Sequence, residues 1–174
     1  MAKAKDKKNE IRIEVRNIQD VQRRLKRLGK TARESRTAIN KALRPAANML
    51  ARGIQKAYQD EFKYETRVGD KVFKRKRKAG RTPTWKTIGI ITARKSRQPG
   101  LFVGPIKRKT SPITVKGKDS YNLAAMQIKG NAIQKPRPNV FEATAKKMDS
   151  KIYLQAESDL DKLVEKMIRQ AGLR

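Results

Sequence analysis

The sequence predicts a single α+β domain, with a small antiparallel sheet packed against a long N-terminal helix, kinked near Pro45, and a C-terminal helix. Three patterns predict it. Apolar and charged residues alternate from Ile11 to Arg16, apolar residues recur at helical spacing on both sides of the chain's middle, and short β-type runs punctuated by Gly and Pro lie between. Strand, helices, several strands and a final helix is the order of a sheet with helices laid on it.

Ile11, Ile13 and Val15 fall on one side of the first run, and Arg12, Glu14 and Arg16 on the other, as in a half-buried strand. Residues 1–10 are charged and lack an apolar stretch, so they are expected to form a flexible basic tail rather than a secretory signal. Asn17 is expected to cap a helix, with Asp20 in its first turn suiting the helix dipole. Ile18, Val21, Leu25 and Leu28 follow at helical spacing, and Gly29 is the expected stop. A longer helix is predicted from about Thr31 to Phe62. Its stripe is Ile39, Ala42, Leu43, Ala46, Met49, Leu50, Ile54, Ala57 and Tyr58. Pro45 lacks an N–H and clashes with the preceding turn, which predicts a kink or a break. Gly53 lies on the same face, where it either admits a closely packed backbone or simply costs helicity.

From Lys63 to Lys118 there are 18 Lys or Arg and 2 acidic residues, so this stretch must lie largely at the surface. Trp85 to Thr92, Leu101 to Val103 and Ile113 to Val115 are predicted strands joined by long basic loops. About residues 63–83 form a basic loop insertion within a domain spanning 11–174. Tyr121 to Lys129 has the form of a further strand, although Leu123 to Met126 can equally turn into a helix. After the extended entry Lys135-Pro136-Arg137-Pro138, Asn139 caps a last helix, and Glu142 sits where a capping box needs it. Phe141, Ala145, Met148, Ile152, Ala156, Leu160, Leu163, Met167 and Ala171 form its stripe, and Gly172 its end.

The formal charge of +29 exceeds what solubility requires and is best tolerated when a partner neutralises it. Nucleic acid, anionic membrane and acidic protein are the partners of that chemistry. The longest apolar stretches are four or five residues, too short to span a bilayer, and no membrane partner is expected. With no Cys and no His, the usual general base, thiolate nucleophile and commonest metal ligands are missing. Asp60 with Glu61, Asp119, Asp149, and Glu157 with Asp159 and Asp161 are the remaining carboxylate candidates. None has metal-ligand spacing, and a solvated helix face accounts for the last group. Lys78-Ala79-Gly80-Arg81-Thr82 lacks the spacing of a phosphate loop. An enzyme, a cofactor and a metal are therefore not expected.

The strongest local feature is Lys74, Arg75, Lys76, Arg77 and Lys78 with Arg81, followed by Arg94, Lys95 and Arg97 and by Lys107, Arg108 and Lys109. Together they can line a path for DNA, or dock on acidic proteins. Six engaged phosphates would weaken binding by roughly 10³-fold or more between 50 and 200 mM salt. Base-specific reading is not expected, because no helix carries the run into a groove. Phe73 and Trp85 flank the first cluster, either as stacking platforms or as core residues at strand positions.

The ordered parts resemble the tail-completion and neck proteins, minor tail components, of long-tailed bacteriophages. The likeness runs through Ile11-Arg-Ile-Glu-Val-Arg-Asn-Ile-Gln-Asp-Val-Gln-Arg-Arg-Leu-Lys-Arg-Leu and Ala38-Ile-Asn-Lys-Ala-Leu-Arg-Pro-Ala-Ala-Asn-Met-Leu. It continues in Leu101-Phe-Val-Gly-Pro and Pro136-Arg-Pro-Asn-Val-Phe-Glu-Ala-Thr. It covers about Ile11 to Gln170. Two segments depart from the pattern: the basic insertion Lys63 to Pro83 replaces a Thr-Gly-Xaa-Leu segment, and Tyr121 to Gly130 only loosely echoes an aromatic Glu-Phe-Gly-Thr-like one. The resemblance implies a structural virion protein of the neck or tail, assembled in host cytoplasm as a homo-oligomeric ring. Its partners would be terminator, connector and tail-tube subunits and packaged DNA. Ile39, Leu43, Met49, Leu50, Ile54, Phe141, Met148 and Ile152 are then expected to pack copies together. The competing expectation is a free nucleic-acid-binding protein, ribosome-associated or DNA-compacting.

Overall fold

Alternation at Ile11 and Ile13 does what the pattern requires: both are buried, while Arg12 between them is half-buried. The computed structural model describes residues 3–4, 11–13, 15, 17–61, 65–68, 71–74, 84–92, 99–106 and 139–172. Strand β1 (Lys3–Ala4) precedes β2 (Ile11–Ile13), and helix α1 (Ile18–Arg27) follows. Then come α2 (Ala32–Ala42), α3 (Arg44–Glu61), β3 (Glu65–Val68), β4 (Lys71–Lys74), a 3₁₀ turn (Thr84–Thr87), β5 (Ile88–Thr92), β6 (Leu101–Pro105) and α4 (Val140–Gln170). The strands form a sheet in the order β1-β2-β6-β5 and a separate β3-β4 pair, antiparallel throughout. The α+β class, with a small antiparallel sheet and a long C-terminal helix, is therefore observed.

Register explains the sheet's two faces. Ile11 pairs with Val103 and Ile13 with Leu101, and all four are buried on the face that meets the helices. Arg12 pairs with Phe102 on the other face, its guanidinium carbon 6.0 Å from the ring centroid. Gln55 of α3 donates to the Ile88 carbonyl at 2.7 Å, and Asn40 of α2 accepts from the Gly100 N–H at 2.9 Å, tying helices to strands. The core is closed by α3 against α4. Tyr58 meets Phe141 edge to face at 5.9 Å. Gly53 lies where a Cβ would overlap the Met148 side chain, so what packs closely on it is a side chain of α4 and not the expected backbone.

Several expectations change. The predicted long helix is broken rather than kinked near Pro45, the second of the two expected outcomes, and is two helices. Pro45 is the second residue of α3, inside the first turn where a missing N–H costs nothing, and the chain turns at Leu43. The predicted flexible tail contributes Lys3–Ala4, which pair with Arg12 and Ile11. Within the expected loop insertion, β3 and β4 form an antiparallel pair with Val68 opposite Lys71 across the two-residue Gly69-Asp70 connection. The strand expected from Trp85 begins at Ile88, because Thr84–Thr87 form a 3₁₀ turn, and Trp85 packs half-buried against the core rather than standing free to stack. Asn17 occupies the N-cap position of α1 but makes no side-chain cap; the Ile18 N–H bonds the Val15 carbonyl at 3.3 Å instead. Asn139 does cap α4, accepting from the Glu142 N–H at 3.4 Å. The Ile113 to Val115 and Tyr121 to Lys129 segments lie outside the described residues.

Candidate functional site

Positive charge is not spread evenly over the described elements. α4 carries six Lys or Arg and six Asp or Glu and is neutral. Residues 17–44, which include α1 and α2, carry nine Lys or Arg against two acids, so this pair holds a fixed positive excess. The excess concentrates where the helices meet: Arg23, Arg24, Lys26, Arg27, Lys30 and Arg33 are six cations within eleven residues, with no acid among them. All six are exposed.

Local chemistry builds this corner. Ile18, Val21 and Leu25 are buried, so the helical period turns Arg23, Arg24 and Arg27 outward. Gly29 stops α1 in the left-handed region at φ 78°, its N–H bonded to the Lys26 carbonyl at 3.0 Å. The Lys30 N–H reaches the Leu25 carbonyl at 3.1 Å, completing a Schellman closure that satisfies carbonyls at the helix end. Thr31 then opens α2 with a reciprocal capping box. Its hydroxyl accepts from the Glu34 N–H at 3.2 Å, and the Glu34 carboxylate accepts from the Thr31 N–H at 2.9 Å. The corner is thus pinned on both sides of a short connection.

Both acids bordering the corner are already engaged. Asp20 pairs with Arg23 at 3.4 Å. Glu34 is held by the Thr31 backbone N–H, then by the Thr31 hydroxyl, and the charge of Lys30 adds to this; together they keep its carboxyl below the ordinary carboxylate range. The corner carries no aromatic residue, because residues 17–57 contain none. Its chemistry is therefore that of several point charges and guanidinium forks on a rigid mount, suited to phosphate oxygens or carboxylates.

The basic residues singled out by sequence fall elsewhere. Lys74 ends β4. Arg75, Lys76, Arg77, Lys78, Arg81, Arg94, Lys95, Arg97, Lys107, Arg108 and Lys109 lie outside the described residues. The described residues that border them are informative. Thr92 is paired with Leu101 at the hairpin end bordering 93–98, whereas Ile88 is paired with Pro105 at the opposite end, next to Ile106 and 107–109. The Arg94 and Lys107 groups thus join opposite ends of a hairpin whose strands are five residues, about 17 Å, long.

The residues expected to pack subunits require correction. Ile39, Leu43, Leu50 and Ile54 are 0% exposed and Phe141 and Ile152 at most 2%, all inside the chain's own core. An apolar stripe shows that a helix has an apolar neighbour, and here the neighbour is the same chain. Met49 and Met148 alone of that set are only partly buried. Among the described residues, the exposed large apolar side chains are Leu154 and Ile168, both on α4.

The carboxylates behave as a solvated helix face. The Tyr153 hydroxyl donates to Glu157 at 3.4 Å and the Gln155 amide to Asp159 at 2.9 Å. Among the described residues no group of three or more His, Cys, Asp or Glu could hold a metal ion, and no helix is long and apolar enough to cross a membrane. Asp119 lies outside the described residues. Comparison with protein-family models, with curated proteins and with solved structures finds no match to this chain.

Proposed function

We propose that this chain is a structural protein of the head–tail junction or upper tail of a long-tailed bacteriophage. It assembles as a ring and meets DNA or acidic neighbouring subunits through its basic surfaces. The observation that carries this reading is the order of elements. A β-strand leads to a short helix and a broken longer one; Leu101-Phe-Val-Gly-Pro is an inner strand of the sheet; and Asn139 opens a 31-residue C-terminal helix. That is the order of parts on which the resemblance rests. It also fits a role without chemistry, since the carboxylates described above serve helix faces and caps.

Ring contacts would use surface that the core leaves free. Leu154 is 64% and Ile168 37% exposed on α4, with Leu163 and Met167 half-buried nearby. The test is negative-stain microscopy and mass photometry of the purified full chain, with mass spectrometry of virions of the phage whose genome encodes it. Discrete rings and presence in the virion are the expected results. A chain that is monomeric at all concentrations and absent from particles overturns the proposal. A monomer that still binds nucleic acid identifies instead the free nucleic-acid-binding protein.

A further inference from the structure

We infer that the α1–α2 corner, Arg23, Arg24, Lys26, Arg27, Lys30 and Arg33, is a docking surface for the phosphate backbone of double-stranded nucleic acid. It uses residues other than those of the basic runs around Lys74, Arg94 and Lys107, and it does not depend on the virion assignment.

The choice of partner follows from charge. A second copy of this chain brings the same +29, and its long neutral helix α4 offers six acids balanced by six bases. Association of copies therefore multiplies the excess instead of neutralising it. The neutralising partner must bring net negative charge in density, and a duplex presents about one charge per 1.7 Å of axis.

The corner's composition separates nucleic acid from acidic protein. A protein interface places apolar and aromatic residues at its centre. At the corner the apolar side chains Val21 and Leu25 point into the core, no aromatic is present, and the exposed large apolar residues of the described chain lie on α4 instead. Exposed side chains here are Arg, Lys, Thr and Ala. The missing aromatics also remove the platform on which single-stranded bases stack. What remains is backbone contact, which positions a duplex without reading its sequence. The Schellman closure and the capping box hold the cations in place before binding, which limits the ordering entropy to side chains.

The test is fluorescence anisotropy of the full chain with a labelled 20-base-pair duplex of mixed sequence, titrated between 50 and 200 mM salt. One variant replaces Arg24, Lys26, Arg27, Lys30 and Arg33 with Gln. A control replaces the exposed α4 residues Lys146, Lys147, Lys151, Lys162 and Lys166 with Gln, removing the same charge. The corner variant should lower the slope of log affinity against log salt by about 3–5, since each lost phosphate contact removes about 0.9. The control should leave the slope nearly unchanged. Equal effects of the two variants would show that only net charge matters and overturn the inference. So would failure of the unmodified chain to bind at 50 mM salt, or equal competition by polyglutamate at matched charge. A second measurement needs no variant: bound duplex should protect Lys26 and Lys30 from acetylation while leaving Lys146 and Lys147 reactive. Unprotected Lys26 and Lys30 would also overturn it. A chain that passes these tests but forms no ring keeps the inference and loses the virion proposal.

Discussion

Replacing Ile54 with Ala separates a core residue from an interface residue. Ile54 is 0% exposed within the single chain, on α3 beside the Gly53–Met148 approach to α4. The change removes three carbon atoms, whose transfer from water is worth about 0.8 kcal/mol each, or about 2.4 kcal/mol. A buried core relaxes only in part, so some of the void should persist and raise the loss to about 3.5 kcal/mol, within the range for Ile to Ala in cores. For a chain of 174 residues that corresponds to a Tm lower by about 10 °C. The assay is urea denaturation followed by far-UV circular dichroism at two protein concentrations a hundredfold apart. The loss should be the same at both, because the side chain is buried by its own chain. A loss under about 1 kcal/mol, or one that appears only at low concentration, would refute this placement and return Ile54 to a subunit interface. Leu154→Ala, at 64% exposure in the single chain, should change the midpoint by less than about 0.5 kcal/mol at the lower concentration, where copies do not cover it.

Gly29→Ala should destabilise by about 1–2 kcal/mol, because φ 78° places a Cβ in the left-handed region although nothing crowds it; an unchanged urea midpoint would contradict this. Ser35→Ala should stabilise by about 1 kcal/mol. Its hydroxyl is buried without a hydrogen-bond partner among the described residues and Ala is the better helix former, so a lowered midpoint would reveal a partner for Ser35 Oγ. Glu34 has a depressed pKa, so its contribution is full above the ordinary carboxylate value of 4.5 and is lost as pH falls through the lower folded value. The difference in urea midpoint between the unmodified chain and Glu34→Gln should therefore shrink on acidification below about pH 4.5, and a difference flat from pH 6 to 3 would show the box to be unformed. Thr31→Ala should cost about 1 kcal/mol through the same box, read in the same melt at pH 7.

What the sequence made legible was what depends on short-range periodicity. Ile11 and Ile13 alternate and are buried; Gly29 and Gly172 follow the last apolar position of a helix and both adopt positive φ. Pro45 announced a break, but only packing decides whether a proline kinks a helix or starts the next one. Here Asn40 on α2 holds the Gly100 N–H just before β6 and Gln55 on α3 holds the Ile88 carbonyl of β5, so the two helices are anchored at different points of the sheet. The apolar stripes at Ile39 to Ile54 and Phe141 to Ile152 were visible, but a stripe carries no information on whose surface covers it. The β3–β4 pair was hidden because Glu65-Thr-Arg-Val and Lys71-Val-Phe-Lys carry more charged than apolar residues, so composition read as a loop. The α1–α2 corner escaped notice for a related reason. Its cations are interrupted by Leu25, Leu28 and Gly29, and a search for contiguous runs finds Lys74 to Lys78 first. Only the burial of Leu25 and the turn at Gly29 leave Arg24, Arg27, Lys30 and Arg33 exposed about one helix junction.

The division of charge between elements has a consequence for stability. α4 holds the centre of the core through Phe141, Ala145, Ile152, Ala156 and Leu160, and it carries its own counter-charges, as in Lys146 with Glu142 at 3.2 Å and Arg169 with Glu165 at 4.0 Å. Exposed pairs of this kind contribute little individually, but a neutral α4 adds no net repulsion to the helix that closes the core against α3. Among the described helices the positive excess falls on α1 and α2, the shorter ones, where repulsion acts on a corner already closed by hydrogen bonds rather than on the α3–α4 packing. Self-repulsion between exposed charges is screened over about 8 Å at physiological ionic strength, which is comparable with the reach of the corner itself. Low salt should therefore loosen α1 and α2 before it loosens α4, so amide exchange at Leu28 to Arg36 should accelerate as salt is removed while exchange at Ile152 to Leu160 holds constant. Uniform acceleration in both segments would mean that the excess charge acts on the fold as a whole, and that the local excess on α1 and α2 has no mechanical meaning of its own.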